Sequence, residues 1–98
     1  MSTNYYLDSP DNEAGHLGKY SGGWAFTAKA PAGVDSFAQW IGQTEGHQIV
    51  AEHGLEESLG DFLAMVLDSR KGGHQRMPQR EKGEFVDQGI LFVRYDFC

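Results

Sequence analysis

The chain has 98 residues, a net charge of −6, 40% apolar and 12% aromatic side chains, and a single cysteine, Cys98. A chain of this length is read as one domain, 1–98, with one modest core. No apolar run approaches the roughly 18 residues of a membrane span, no internal disulfide can form from one cysteine, and the polar opening Met1-Ser2-Thr3-Asn4 lacks a signal-peptide pattern.

In chain order, Asn4-Tyr5-Tyr6-Leu7 has the aromatic content of a short first strand. Asp8 to Gly15 is turn-rich. His16-Leu17-Gly18-Lys19-Tyr20-Ser21-Gly22-Gly23 reads as a glycine-rich turn feeding a strand. From Trp24 the residues alternate, with Trp24, Phe26, Ala28 and Ala30 on one face, which predicts a half-buried central strand. Asp35 or Ser36 can cap a short helix whose face is Phe37, Trp40 and Ile41. Gln48-Ile49-Val50-Ala51-Glu52 is a further candidate strand. Leu55, Leu59, Phe62, Leu63, Val66 and Leu67 recur at helical spacing, with Ser58 and Asp61 as a capping pair and Gly72-Gly73 as the stop. His74 to Gly83 is polar, basic and interrupted by Pro78, so a mobile exposed loop is expected. A hairpin about Gln88-Gly89 follows, with Leu91, Val93, Tyr95 and Phe97 as its expected core face. Together these elements predict an α+β fold: a small antiparallel sheet of about four strands with two helices packed on one face.

Charge is unevenly placed. Residues 1–68 carry ten acids against Lys19 and Lys29, whereas residues 69–83 carry five bases against Glu81. An acidic body repels nucleic acid and attracts basic surfaces.

The run from His16 to Phe26 resembles a motif, H-I-G-K-x-S-x-G-W-x-F, of small uncharacterised phage-encoded proteins. Phe37-Ala38-Gln39-Trp40, Ser58-Leu59-Gly60-Asp61-Phe62-Leu63 and the aromatic ending Tyr95-Asp96-Phe97-Cys98 resemble later parts of the same proteins more loosely. The resemblance implies a phage or mobile-element origin, hence the cytoplasm of an infected host cell, and no known reaction. Such proteins often carry a cysteine pair ahead of the motif. This chain has Asp8, Asp11 and Glu13 there, which removes the expectation of zinc.

The chemistry-bearing residues do not assemble into a familiar catalytic pattern. His16, His47, His53 and His74 lack metal-ligand spacing, and the thiolates of a structural zinc site are missing. Gly18-Lys19-Tyr20-Ser21-Gly22-Gly23 has the wrong order for a P-loop, which places its glycines before the lysine and a helix after it. Ser21 near His16, and the pair Glu52-His53, lack an orienting partner. No enzyme activity, cofactor or metal is therefore expected.

Carboxylates on a small rigid domain can imitate the phosphate rows of a duplex, and several anti-CRISPR proteins are small and acidic. The expectation is a phage inhibitor of a host defence complex, of the anti-CRISPR type, that binds stoichiometrically and blocks a basic DNA-binding groove. Its contact residues would be Asp8, Asp11, Glu13, Glu56, Glu57, Asp61 and Asp68, with exposed Tyr5, Tyr6 and Tyr20 as anchors. This reading expects no direct nucleic acid, no membrane and no small-molecule ligand. The alternative is a phage accessory protein that binds nucleic acid or a nucleotide through the basic 70–82 loop and the glycine-rich turn, although no aromatic residue interleaves the basic run.

Overall fold

Short apolar runs flanked by turn residues favour short strands, and one small sheet collects them here. The computed structural model describes residues 2–96. The strands are β1 (Ser2–Leu7), β2 (His16–Ser21), β3 (Thr27–Lys29), β4 (Ile49–Ala51), β5 (Glu56–Glu57), β6 (Phe85–Asp87) and β7 (Ile90–Val93), and the helices are α1 (Phe37–Gly42) and α2 (Leu59–Gly72). Their order in the sheet is β5-β4-β1-β2-β3-β7-β6. Neighbours are antiparallel except β3 and β7, which are parallel.

The α+β class matches the sequence reading, but the sheet has seven strands rather than about four and is mixed rather than antiparallel. Two causes account for this. The stretch read as a glycine-rich turn is mostly β2, the middle strand, and only Gly22 and Gly23 turn. The β6–β7 hairpin returns to the sheet after both helices, so β7 joins β3 through a long crossover, as a parallel pair requires.

Cross-strand partners share a face. The register runs Ala51–Tyr5–Gly18–Ala28–Phe92–Phe85 across the sheet. Against this face pack Trp40 from α1 and Phe62 and Val66 from α2, all almost fully buried. The centre is Phe26. Its ring centroid lies 6.2 Å from Tyr5, 5.8 Å from Trp40 and 5.6 Å from Phe62. Its backbone N–H donates to the Ser69 hydroxyl of α2 at 2.9 Å, while that hydroxyl donates to the Val66 carbonyl at 2.6 Å. The Trp40 indole N–H is satisfied by the Leu17 carbonyl at 3.1 Å, so the largest core side chain leaves no orphaned donor.

Both helices begin as their sequences require. The hydroxyls of Ser36 and Ser58 accept from the backbone N–H groups of Gln39 and Asp61, at 3.2 and 3.1 Å. The hairpin turn places Gln88 at φ 53° and Gly89 at φ 74°, the pair of positive angles a two-residue turn of the favoured hand needs.

Two expected faces are corrected. Trp24 is 51% exposed and lies outside β3, whereas Phe26, Ala28 and Ala30 are buried as expected. The chain leaves the sheet between Ser21 and Thr27, where Ala25 N–H donates to His74 O and His74 N–H to Gly23 O, so strand alternation does not run through Trp24. In β7 it is Ile90 and Phe92, not Leu91 and Val93, that join the helix-side core. Leu91 and Val93 are buried on the second face, where the Gln75 side chain accepts from Leu91 N–H at 3.1 Å. The strand ends at Val93, Tyr95 is 36% exposed, and Phe97 lies outside the described residues.

Gly18 makes this packing compatible with β2. It sits at φ 151°, and a Cβ there would come within 2.4 Å of the Thr27 carbonyl oxygen and 2.5 Å of the Phe26 ring. Gly18→Ala is expected to destabilise the fold by about 2 kcal/mol or more, through overpacking and backbone strain. Gly60→Ala, on an open face of α2 with nothing within 4 Å, is expected to stabilise it by about 0.5–1 kcal/mol. Urea denaturation of the two variants checks both signs.

Candidate functional site

Electrostatic sites depend on where folding collects charge, and here the sheet order separates it. Residues 1–18 and 43–67 contain eight carboxylates and no lysine or arginine. These segments supply β1, β4, β5 and the first half of α2, one end of the sheet. The remaining residues hold all eight lysines and arginines with six carboxylates.

At the acidic end Asp8 closes β1 in the left-handed region, φ 68°. Its carboxylate accepts from the His47 ring at 2.6 Å and from Gln48 N–H at 3.0 Å. These hydrogen bonds, that of His47 foremost, hold its pKa below the usual carboxylate value. Asp11 and Glu13 follow on the exposed connection to β2. Leu7 pairs with Ile49 and Ile49 with Glu57, so three short strands carry Asp8 and the Glu56–Glu57 pair to one edge. A hollow of about 430 Å³ lies beside the glutamate pair, lined by Thr44, His47, Glu56, Glu57 and Ser58 among others. Asp61 sits in the first turn of α2, exposed above that edge. Glu45 and Glu52, which are not among the contact residues expected from the sequence, belong to the same segments and are also exposed.

Not every expected contact residue joins this surface. Asp68 lies two turns along α2, 3.5 Å from Lys71, and lines a separate small hollow with Tyr20 and Trp24. Tyr5 is a core residue, 9% exposed, so its expected role as an exposed anchor is corrected. Tyr6 is half-buried and stacks on His16 with centroids 4.9 Å apart. Tyr20 is half-buried against the core.

His16 and Ser21 stand at opposite ends of β2, about 16 Å apart at strand spacing, and do not meet. The His16 ring instead bonds Asn4 Oδ1 across the strands at 2.9 Å, and burial lowers its pKa. Among the described residues no group of three or more His, Cys, Asp or Glu side chains could hold a metal ion, and no helix is long and apolar enough to cross a membrane. Cys98 lies outside the described residues.

At the other end, most carboxylates are matched. Lys29 pairs with Asp96 at 2.5 Å, Arg94 with Asp35 at 2.5 Å, and Arg76 with Glu84 at 2.8 Å. Glu84 is the anchor of the 74–83 segment. Its buried carboxylate takes both Arg76 Nη groups, Gln79 N–H at 3.1 Å and the Tyr95 hydroxyl at 2.5 Å. Arg76 above all, with Tyr95 and the Gln79 amide, holds the Glu84 pKa below its ordinary value against the opposing effect of burial. The basic stretch read from sequence as a mobile loop is thus tied down at a point that no local motif announces.

The same segment docks on the glycine-rich turn. Gly73 allows the approach, since a Cβ there would lie 2.4 Å from Ala25 N. Trp24 and His74 meet edge to face, with centroids 5.8 Å apart. Between them and β2, β3 and β7 runs a groove of about 270 Å³. The aromatic residue missing from the basic run is therefore supplied by the turn, a pairing legible only in three dimensions.

Comparison with known proteins finds no matching family model, no matching curated protein and no matching solved structure.

The Glu84 arrangement sets an expectation for pH. Its folded-state pKa is depressed, so the unfolded chain takes up the proton first as pH falls, and the stability from this site is present above the ordinary value of 4.5 and lost as pH drops through the folded value. Glu84→Gln is expected to lower stability at neutral pH and to flatten its fall in that acid window. Urea midpoints across the window measure both effects.

Proposed function

We propose that this chain is a phage-type inhibitor that binds a host defence complex, of the CRISPR effector kind, and occludes a basic nucleic-acid-binding groove. The supporting observation is the placement of carboxylates without lysine or arginine on β5, the start of α2 and the connections that follow β1 and flank β4. Asp8, Glu56, Glu57 and Asp61 form its centre, with Asp11, Glu13, Glu45 and Glu52 extending it. Regular structure supports the first group: Asp8 by two hydrogen bonds, Glu56 and Glu57 by the ladder to β4, and Asp61 by its cap. Charge held in fixed places loses little conformational freedom on binding. A one-signed end also steers a cationic groove toward it and speeds encounter, an effect that salt suppresses.

The reading assigns the tyrosines no anchoring role. Specificity would come from the geometry of the carboxylates and from the hollow beside Glu56 and Glu57. Asp68, paired with Lys71 and remote from the edge, falls outside the contact surface.

The test is displacement of target duplex DNA from purified effector complexes by the intact protein. Wild type is expected to compete, with an association rate that falls steeply as salt rises. A variant combining Glu13→Lys, Glu56→Lys and Asp61→Lys, all at exposed positions, is expected to associate roughly 100-fold more slowly while keeping the wild-type circular dichroism. Competition unchanged in that variant, or insensitive to salt, contradicts the proposal.

A further inference from the structure

The groove at the cationic end answers a different chemistry. It is open on one side, is lined by Lys19, Ser21, Trp24, Thr27, His74 and Arg76 among others, and has no carboxylate among its described lining residues, although the chain has 14 acids against eight bases. Trp24 is 51% exposed, whereas the other tryptophan, Trp40, is fully buried. His74 packs against the Trp24 indole at an edge-to-face angle, and the backbone bonds of His74 to Gly23 and Ala25 fix the pair in place. Arg76 is oriented from behind by the fully buried Glu84 side chain, yet 41% of its own side chain remains exposed. The hydroxyls of Ser21 and Thr27 add donors along the wall.

An exposed, braced indole offers a stacking face for a planar ring. Lysine, arginine and hydroxyl donors offer hydrogen bonds to phosphate oxygens. A volume of about 270 Å³ lies just below the usual ~300–1,000 Å³ of ligand pockets and suits one small unit rather than a large cofactor. We infer that this groove binds a single nucleoside monophosphate unit, with its base on Trp24 and its phosphate toward Lys19 and Arg76. That unit can be a free nucleotide or one residue of a single strand, since both present the same ring and phosphate. The site is separate from the acidic end and does not depend on the inhibitor reading.

Thymidine monophosphate, inorganic phosphate and a short oligothymidylate are titrated into the intact protein, followed by calorimetry and amide chemical shifts. The monophosphate is expected to saturate, to shift the amides of Lys19, Trp24 and His74, and to bind at least about tenfold more tightly than inorganic phosphate. Trp24→Ala, at an exposed position, is expected to weaken it roughly tenfold. Lys19→Gln is a second variant on a different element and is expected to weaken it and to reduce the salt dependence. An oligothymidylate much tighter than the monophosphate assigns the site to single strands, and equal affinities assign it to the free nucleotide. The inference is overturned if neither nucleotide probe shifts the groove amides, if inorganic phosphate binds as tightly as the monophosphate, or if both variants bind unchanged.

Discussion

The seat of Phe26 over Gly18 is the constraint on which the remaining structure depends. The ring reaches the sheet centre because its neighbour in β2 has no side chain, and there it touches Tyr5, Trp40 and Phe62 from three separate elements. The same residue's N–H is taken by Ser69, which sets the height of α2 against the sheet. A small domain has few such cross-links, so each carries a large share of its uniqueness. Once Phe26 is seated, the chain before it must leave the sheet, and Trp24 emerges beside His74 rather than in the core.

From that frame the charge separation follows. The carboxylates of residues 8–13 and 45–61 are distant in sequence, yet β4 pairs with β1 and β5 with β4, so they gather at one sheet end. The C-terminal turn of α2 and the segment after it carry Arg70, Lys71, Arg76, Arg80 and Lys82 to the other end, where buried Glu84 bonds Arg76 and the Gln79 amide. An overall charge of −6 thus conceals two ends of different character. Net charge bears on solubility and steering, whereas placement decides which partner each end favours.

Much of this was legible in the chain. Helical spacing located α2, capping residues (Asp35 or Ser36 for α1, where the structure uses Ser36, and Ser58 for α2) located both helix starts, and Gln88-Gly89 located the hairpin, because each signal is local and physically self-sufficient. Less legible were features set by distant partners. Gly18 reads as turn glycine unless the Phe26 ring is known to cover it. Leu91 and Val93 look like the helix-side face because their burial on the second face, where Gln75 meets Leu91, has no periodic signature. Tyr5 resembles a surface anchor until Phe62 is placed 5.2 Å from it. The acidic surface was visible as a composition bias, but the departure of Asp68 from it depends on its place along α2 beside Lys71, and the inclusion of Glu45 and Glu52 on strand order.

The segregation of charge can be measured without any partner. Amide relaxation of the isotope-labelled protein is recorded with a cationic and then an anionic paramagnetic cosolute of equal size. The account predicts that the cationic probe broadens residues around Asp8, Glu56, Glu57 and Asp61 preferentially, that the anionic probe broadens the Trp24, His74 and Arg80 surface, and that salt erases the contrast. Equal broadening of both ends by both probes at low salt would contradict it.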